Sequence, residues 1–151
     1  MKTIELVSEF HKAFSHPVGE KPELISKERA NLRISLIQEE LNELKEAIED
    51  DDLVEVADAL VDIQYVLDGA FVEFGFRGYK ELLVKEVHAS NMSKLCSSAA
   101  EAQVQMDVNP EVSSYECVGD DSYAIYREDG KIMKGPNFFR PDLKSIIDVK
   151  R

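Results

Sequence analysis

Glu39-Glu40-Leu41-Asn42-Glu43 and, eleven residues beyond it, Glu55-Val56-Ala57-Asp58 decide how this chain is read. The second group opens a segment, Leu53 to Phe74, in which most positions are apolar. A helix apolar on nearly all sides is expected to be buried on nearly all sides. Its polar exceptions Glu55, Asp58, Asp62 and Tyr65 follow at steps of 3, 4 and 3. At 100° per residue they stay within a sector of about 80°. The first group lies on a preceding helix whose residues Ala30, Ile34, Ile37, Leu41, Leu44 and Ile48 recur at alternating steps of 4 and 3, a seam that needs a partner helix. Glu40 and Glu43 stand beside that seam, one turn apart, so the two acidic sets are expected to confront each other across a cavity.

Such a set is costly. Two carboxylates about 4 Å apart repel by about 4 kcal/mol at an effective dielectric near 20. Left alone, four would protonate or unfold the helices. A divalent cation removes the conflict, and all-oxygen ligation selects hard ions such as Mg2+ or Mn2+. The competing reading is a solvated acidic face. A di-iron bundle is excluded, because it needs Glu-x-x-His and the residues three before His11, His16 and His88 are Ser8, Ala13 and Lys85. Nucleophile elbows, phosphate loops and dinucleotide fingerprints are absent from the sequence. Metal-activated hydrolysis is the chemistry left.

The surrounding chain reads as four helices followed by a different pattern. Ile4, Val7, Phe10 and Phe14 place a first helix over Thr3 to Ser15, stopped by Pro17. A second starts at Pro22 or Ser26 and runs to about Asp50. A third, capped by Asp50-Asp51-Asp52, reaches about Gly75, and a fourth runs from Tyr79 to about Lys94. Short connections imply an antiparallel four-helix bundle, so the fold class is all-α with a small C-terminal α+β appendage. The division falls at residues 1–95 and 96–151, within one domain. In the appendage a short helix is expected over Ser97 to Met106. A hairpin is expected between Tyr123-Ala124-Ile125-Tyr126 and Lys131-Ile132-Met133 around Glu128-Asp129-Gly130.

With 151 residues, 30 Asp+Glu against 18 Lys+Arg and a formal charge of −12, the chain is sized for one domain and unsuited to nucleic acid. Eleven of the acids and a single base, Lys45, fall between Glu39 and Asp62. No apolar run approaches the ~18 residues of a membrane span and the start lacks a signal-type apolar region, so a cytoplasmic, membrane-free protein is expected. Cys96 and Cys117 fit reduced thiols.

Glu40-Leu-Asn-Glu43 followed by Glu55-Val-Ala-Asp58 resembles the Glu-x-x-Glu and Glu-x-x-Asp metal signature of the all-α NTP pyrophosphohydrolases. That superfamily comprises MazG-like proteins, dimeric dUTPases and phosphoribosyl-ATP pyrophosphohydrolases. Lys85 to Lys94, including His88-Ala89-Ser90-Asn91-Met92-Ser93-Lys94, looks like the helix-four end of the MazG-like and phosphoribosyl-ATP branch. Asp129-Gly130-Lys131 through Asn137 resembles its C-terminal element. The resemblance implies a Mg2+-dependent enzyme that cleaves a nucleoside triphosphate to a monophosphate and pyrophosphate. Glu40, Glu43, Glu55 and Asp58 would hold the metal, and Mn2+ is an alternative ion. Glu39 is the candidate general base or second-metal ligand, and Asp62 could orient a ligand. Asn91, Lys94 and Lys134 are the candidate substrate contacts, drawn from local basic excess at 77–94 and 131–151. His88 and Tyr65 are as readily packing residues as substrate contacts. A homodimer or dimer of dimers is also implied. The alternatives are a phosphoribosyl-ATP pyrophosphohydrolase of histidine synthesis and a non-catalytic metal-binding dimerisation module.

Overall fold

Ser26 and Asp52 set where the two long helices begin. The Ser26 hydroxyl accepts from the Arg29 N–H, and the Asp52 carboxylate accepts from the N–H groups of Val54 and Glu55, so each fills donors that a helix start leaves open. In the computed structural model, which describes residues 2–148, the elements are α1 (Thr3–Ala13), α2 (Lys27–Glu49), α3 (Leu53–Glu73), α4 (Lys80–Met92), α5 (Ala99–Val108), β1 (Ser114–Gly119), β2 (Ser122–Tyr126) and α6 (Leu143–Asp148). They form two units, one ending at Lys80 and the other beginning at Glu81. The sequence pattern changes later, near residue 95, because α4 carries the helical periodicity into the second unit.

In the first unit α3 packs against both α1 and α2. Ile4, Val7 and Val72 are the buried core, flanked by Val18, Tyr65 and Phe71. Helix α1 stops at Ala13 because Ser15 turns left-handed at φ 57° and the His16 N–H returns to the His11 carbonyl at 2.7 Å. The segment between α1 and α2 then crosses the end of α3, with the Gly19 N–H donating to Val72 O and the Glu23 N–H to Phe74 O. Gly75 has φ +75°, and a Cβ there would stand 1.9 Å from the Lys21 carbonyl oxygen, so only glycine fits this crossing.

Buried charges tie the helices together. Glu73, 2% exposed, accepts from Arg29 Nε at 3.2 Å, from Arg29 Nη2, and from Arg33 Nη2 at 2.5 Å. Asp68, fully buried, accepts from the Thr3 hydroxyl at 2.7 Å and from the Lys80 amine. One carboxylate therefore joins α2 to α3, and the other joins α1 and Lys80 to α3.

Two sequence expectations change here. The third helix is not covered all round: Leu53, Val54, Leu60 and Val61 are 52–80% exposed. Its apolar positions outnumber the surface that α1 and α2 can cover. Of the four helices expected in one bundle, α1 to α3 pack in the first unit and α4 falls almost wholly in the second. Helix starts and ends otherwise fall within a few residues of expectation, and the second helix starts at the Ser26 cap rather than at Pro22.

In the second unit α5 packs on an antiparallel β1–β2 hairpin, and Cys96, Ala102, Val112 and Ile125 form its buried core. The hairpin is displaced from its expected place. β2 pairs with the preceding segment, Ser114↔Tyr126 through Gly119↔Ser122, across Asp120-Asp121. Both aspartates have positive φ, 42° and 56°, which matches the twist of a two-residue hairpin turn. The expected partner 131–133 contributes only an isolated bridge, Tyr126↔Ile132. Its turn is tight and local, with Arg127 N–H to Lys131 O at 2.9 Å and Gly130 N–H to Arg127 O at 2.9 Å.

Burial alone would raise the Glu73 carboxyl, but the hydrogen bonds and charges of Arg29 and Arg33 outweigh it and hold the group below the ordinary glutamate range. Its folded value is depressed, so its contribution to stability is present above the unfolded value and is lost as pH falls through the folded one. Glu73→Gln leaves Arg33 buried without its counter-charge. In urea titrations at neutral pH it is expected to cost about 3 kcal/mol or more, and to flatten the acid limb of the stability profile. A loss under 1 kcal/mol would show that the pair is not structural.

Candidate active site

The acids of α2 and α3 gather on one side of the first unit. On α2, Glu39 and Glu43 are exposed and Glu40 is half-buried. On α3, Glu55 and Asp58 are exposed and Asp62 is half-buried. The half-buried pair are the ones nearest the α2–α3 seam. The Glu40 carboxyl is pushed above the ordinary glutamate value, first by loss of solvent and then by the charges of Glu43, Asp62, Glu39 and Asp58. Four of the other five acids singled out in the sequence therefore act on Glu40, from both helices. The sixth, Glu55, is not among the charges that shift Glu40; it sits in the first turn of α3, its N–H held by Asp52. The acids lie on an open face rather than in an enclosed cavity, which corrects the expectation of a closed site.

A convergence of carboxylates with no cation among the charges on Glu40 suits a hard divalent ion. Among the described residues, the group whose potential metal-ligand atoms all lie within 4.8 Å of one another is His11, His16 and Glu73; no three carboxylates of α2 and α3 approach one another that closely. The chemistry of the histidine group is less favourable. Glu73 is already neutralised by Arg29 and Arg33, and a dication there would face two guanidinium charges. His11 is 2% exposed, with Nδ1 2.8 Å from the Pro17 carbonyl oxygen; burial, opposed by that hydrogen bond, lowers its affinity for a proton, and Arg33 lowers it further. A neutral His11 closing the loop against α1 accounts for these contacts.

The basic candidates occupy the second unit. The Lys94 amine donates to Asn91 Oδ1 at 2.8 Å, one turn back at the end of α4. The Gly135 N–H donates to the Lys94 carbonyl at 2.9 Å, which brings Lys134 next to the same backbone. A Cβ on Gly135 would stand 2.6 Å from the Lys94 oxygen. Asn91, Lys94 and Lys134 are thus neighbours, although 40 residues separate the last two, and the Lys134 amine lies 4.5 Å from the centre of the Phe138 ring. His88 is exposed. Of the basic residues counted at the C-terminus, Lys150 and Arg151 lie outside the described residues.

Sequence reasoning missed Arg29 and Arg33. The available signal was an Arg pair four residues apart at the start of the apolar seam, on one helix of a strongly acidic chain, and Glu73 returning to the acidic stripe at the far end of α3.

Residues 7–91, more than half of the chain, match the family described as phosphoribosyl-ATP pyrophosphohydrolase. A curated relative, the uncharacterized protein L479 of Acanthamoeba polyphaga mimivirus, is 35% identical over 80 residues, covering 47% of this chain and 30% of that protein. The chain thus spans less than a third of that relative's length. It belongs to the phosphoribosyl-ATP pyrophosphohydrolase family, within the all-α NTP pyrophosphohydrolase superfamily.

Because the folded Glu40 carboxyl is raised, the metal-free protein is expected to lose stability as pH rises from the unfolded glutamate value through the folded one. Divalent cations are expected to reverse this. Calorimetry should show Mg2+ or Mn2+ raising Tm at pH 7.5 more than at pH 5. Glu40→Gln should raise the metal-free Tm and abolish the cation effect. An unchanged cation response in Glu40→Gln would separate the acids from metal binding.

Proposed function

We propose that this family member is a Mg2+-dependent nucleoside triphosphate pyrophosphohydrolase that cleaves between the α- and β-phosphates to give a nucleoside monophosphate and pyrophosphate. The observation that carries this reading is the crowding of Glu43, Asp62, Glu39 and Asp58 around Glu40. Membership of a family named for pyrophosphate cleavage supports it.

Glu40, Glu43, Asp58 and Glu55 would hold the metal, with Glu55 contributing by a side-chain rotation from the first turn of α3. When bound, Mg2+ supplies charge for the phosphate oxygens and acidity for a water molecule. Glu39, exposed and one residue before Glu40, would accept the proton of the attacking water as the phosphorus–oxygen bond to the pyrophosphate leaving group breaks. Asp62, half-buried beside Glu40, orients the acid set from α3. In the second unit Lys94, held by Asn91 and adjoining Lys134, supplies cationic and amide contacts suited to phosphate and sugar oxygens.

Phosphoribosyl-ATP is the second reading of the substrate, favoured by the family match over 7–91. It shares the triphosphate and the bond cleaved. A homodimer or dimer of dimers fits the open apolar faces: Ile34, Leu41 and Ile48 recur every seven residues on α2, as do Leu53, Leu60 and Leu67 on α3, and all six are 39–80% exposed. No helix among the described residues is long and apolar enough to cross a membrane, which fits a cytoplasmic place of action.

Incubation with Mg2+ and a panel of NTPs, dNTPs and phosphoribosyl-ATP is expected to release pyrophosphate. Glu43→Gln and Asp58→Asn should each lower kcat by about 100-fold, the scale of losing a few kcal/mol of transition-state stabilisation. Absence of release from every substrate, with Tm still raised by Mg2+, would favour a non-catalytic metal-binding module.

A further inference from the structure

We propose that Phe10, Phe14 and Tyr65, rimmed by His16, form the stacking platform for the nucleobase of the substrate. This rests on the reading of the α2–α3 acids as the phosphate end of a nucleotide site. Leu6, Phe10 and Phe14 recur every four residues on one face of α1, beside core residues that are 1–4% exposed. Phe10 nevertheless stays 37% exposed and Phe14 64%. The two rings lie 4.4 Å apart with planes 33° from parallel. Phe10 meets Tyr65 edge-on at 5.8 Å and His16 at 5.9 Å. Four rings thus form one continuous patch, part of which faces water.

The patch continues from the acidic stripe. Tyr65 follows Asp62 by three residues and Asp58 by seven on the same side of α3. Its Cα therefore lies about 5 Å beyond Asp62 and about 10 Å beyond Asp58 along the axis. A nucleotide whose phosphates lie against Asp58 and Asp62 extends its base in one of two axial directions, and only the Tyr65 direction offers aromatic surface. In the other direction lie the Asp52 cap and the start of α3.

Chemistry also favours a base as the occupant. The faces offered for chain packing are aliphatic, namely Ile34, Leu41 and Ile48 on α2 and Leu53 and Leu60 on α3. This patch is aromatic with polar edges. The Tyr65 hydroxyl is suited to the edge of a stacked base, and the His16 ring, which also has a nitrogen within 4.8 Å of ligand atoms of His11 and Glu73, borders the patch through Phe10. Ring stacking gives affinity to any base, whereas the hydroxyl and imidazole discriminate between base edges.

Steady-state pyrophosphate release under Mg2+, with ATP, GTP, CTP, UTP, dUTP and dCTP, tests the platform. For the best substrate, Phe14→Ala is expected to raise KM about tenfold and leave kcat within about threefold. Phe14→Trp should restore KM and Phe14→Leu should not, which separates stacking from simple apolar cover. Tyr65→Phe should change the ratio between substrates more than the affinity for any one. Wild-type KM in Phe14→Ala or Phe14→Leu, or a shift to a smaller species in sedimentation, would overturn the platform. Wild-type protein that releases no pyrophosphate would overturn the catalytic reading instead. The platform is then judged by quenching of the tyrosine fluorescence, the chain having no Trp, with UMP and AMP. Saturable binding lost in Phe14→Ala supports it, and absence of binding overturns it.

Discussion

Like charge brought together from two helices is the constraint on which the rest of this structure depends. α2 and α3 are joined by three residues and pair antiparallel, so the start of one faces the end of the other. At one end of the pair a carboxylate, Glu73, is met by Arg29 and Arg33 and is held charged. Nearer the middle of the pair, Glu40 meets only carboxylates and its charged form is disfavoured. The same two helices thus carry a satisfied ion cluster and an unsatisfied one. The first sets the register of the helices. The second disfavours the charged form of Glu40, and the proposed divalent cation would turn that repulsion into attraction.

That division of labour explains the location of the other polar groups. Asp68 and Glu73, the buried acids of α3, each have a basic partner within the first unit. The acids without one lie on the open side, near solvent, where their repulsion is tolerable in the absence of a cation. The aromatic patch of α1 adjoins the same side through Tyr65, and the apolar heptads of α2 and α3 are left for another surface. The acidic, aromatic and aliphatic surfaces are thus separate, and under the proposed function they would meet metal-bound phosphate, base and partner chain in turn.

Much of this was legible in the sequence because helix periodicity is local. The acid spacing on α3 and the Asp52 cap follow from steps of three and four residues, and the helices appear where those steps place them, whereas Ile34, Leu41 and Ile48 of the expected α2 seam are left 50–66% exposed. What escaped depends on distant pairing. Arg33 and Glu73 are 40 residues apart, and neither residue alone announces a buried pair. The hairpin was displaced for a related reason. Glu128-Asp129-Gly130 carries the stronger turn composition, but Asp120-Asp121 adopts the two left-handed conformations, and Tyr115 and Ile125 bring their strands to a core made with α5. Exposure of α3 was hidden as well, because an apolar helix reads the same whether its own chain or another covers it. The neighbourhood of Lys94 and Lys134 needed the Gly135 contact, which no local pattern records.

Anomalous diffraction from crystals grown with Mn2+ addresses the central point directly. The expected peak lies between α2 and α3, within coordination distance of carboxylate oxygens of Glu40, Glu43 and Asp58, with Glu55 turned toward it. A peak at His11, His16 and Glu73 instead, or Mn2+-replete crystals with those acids splayed into solvent and no ion between them, would contradict it.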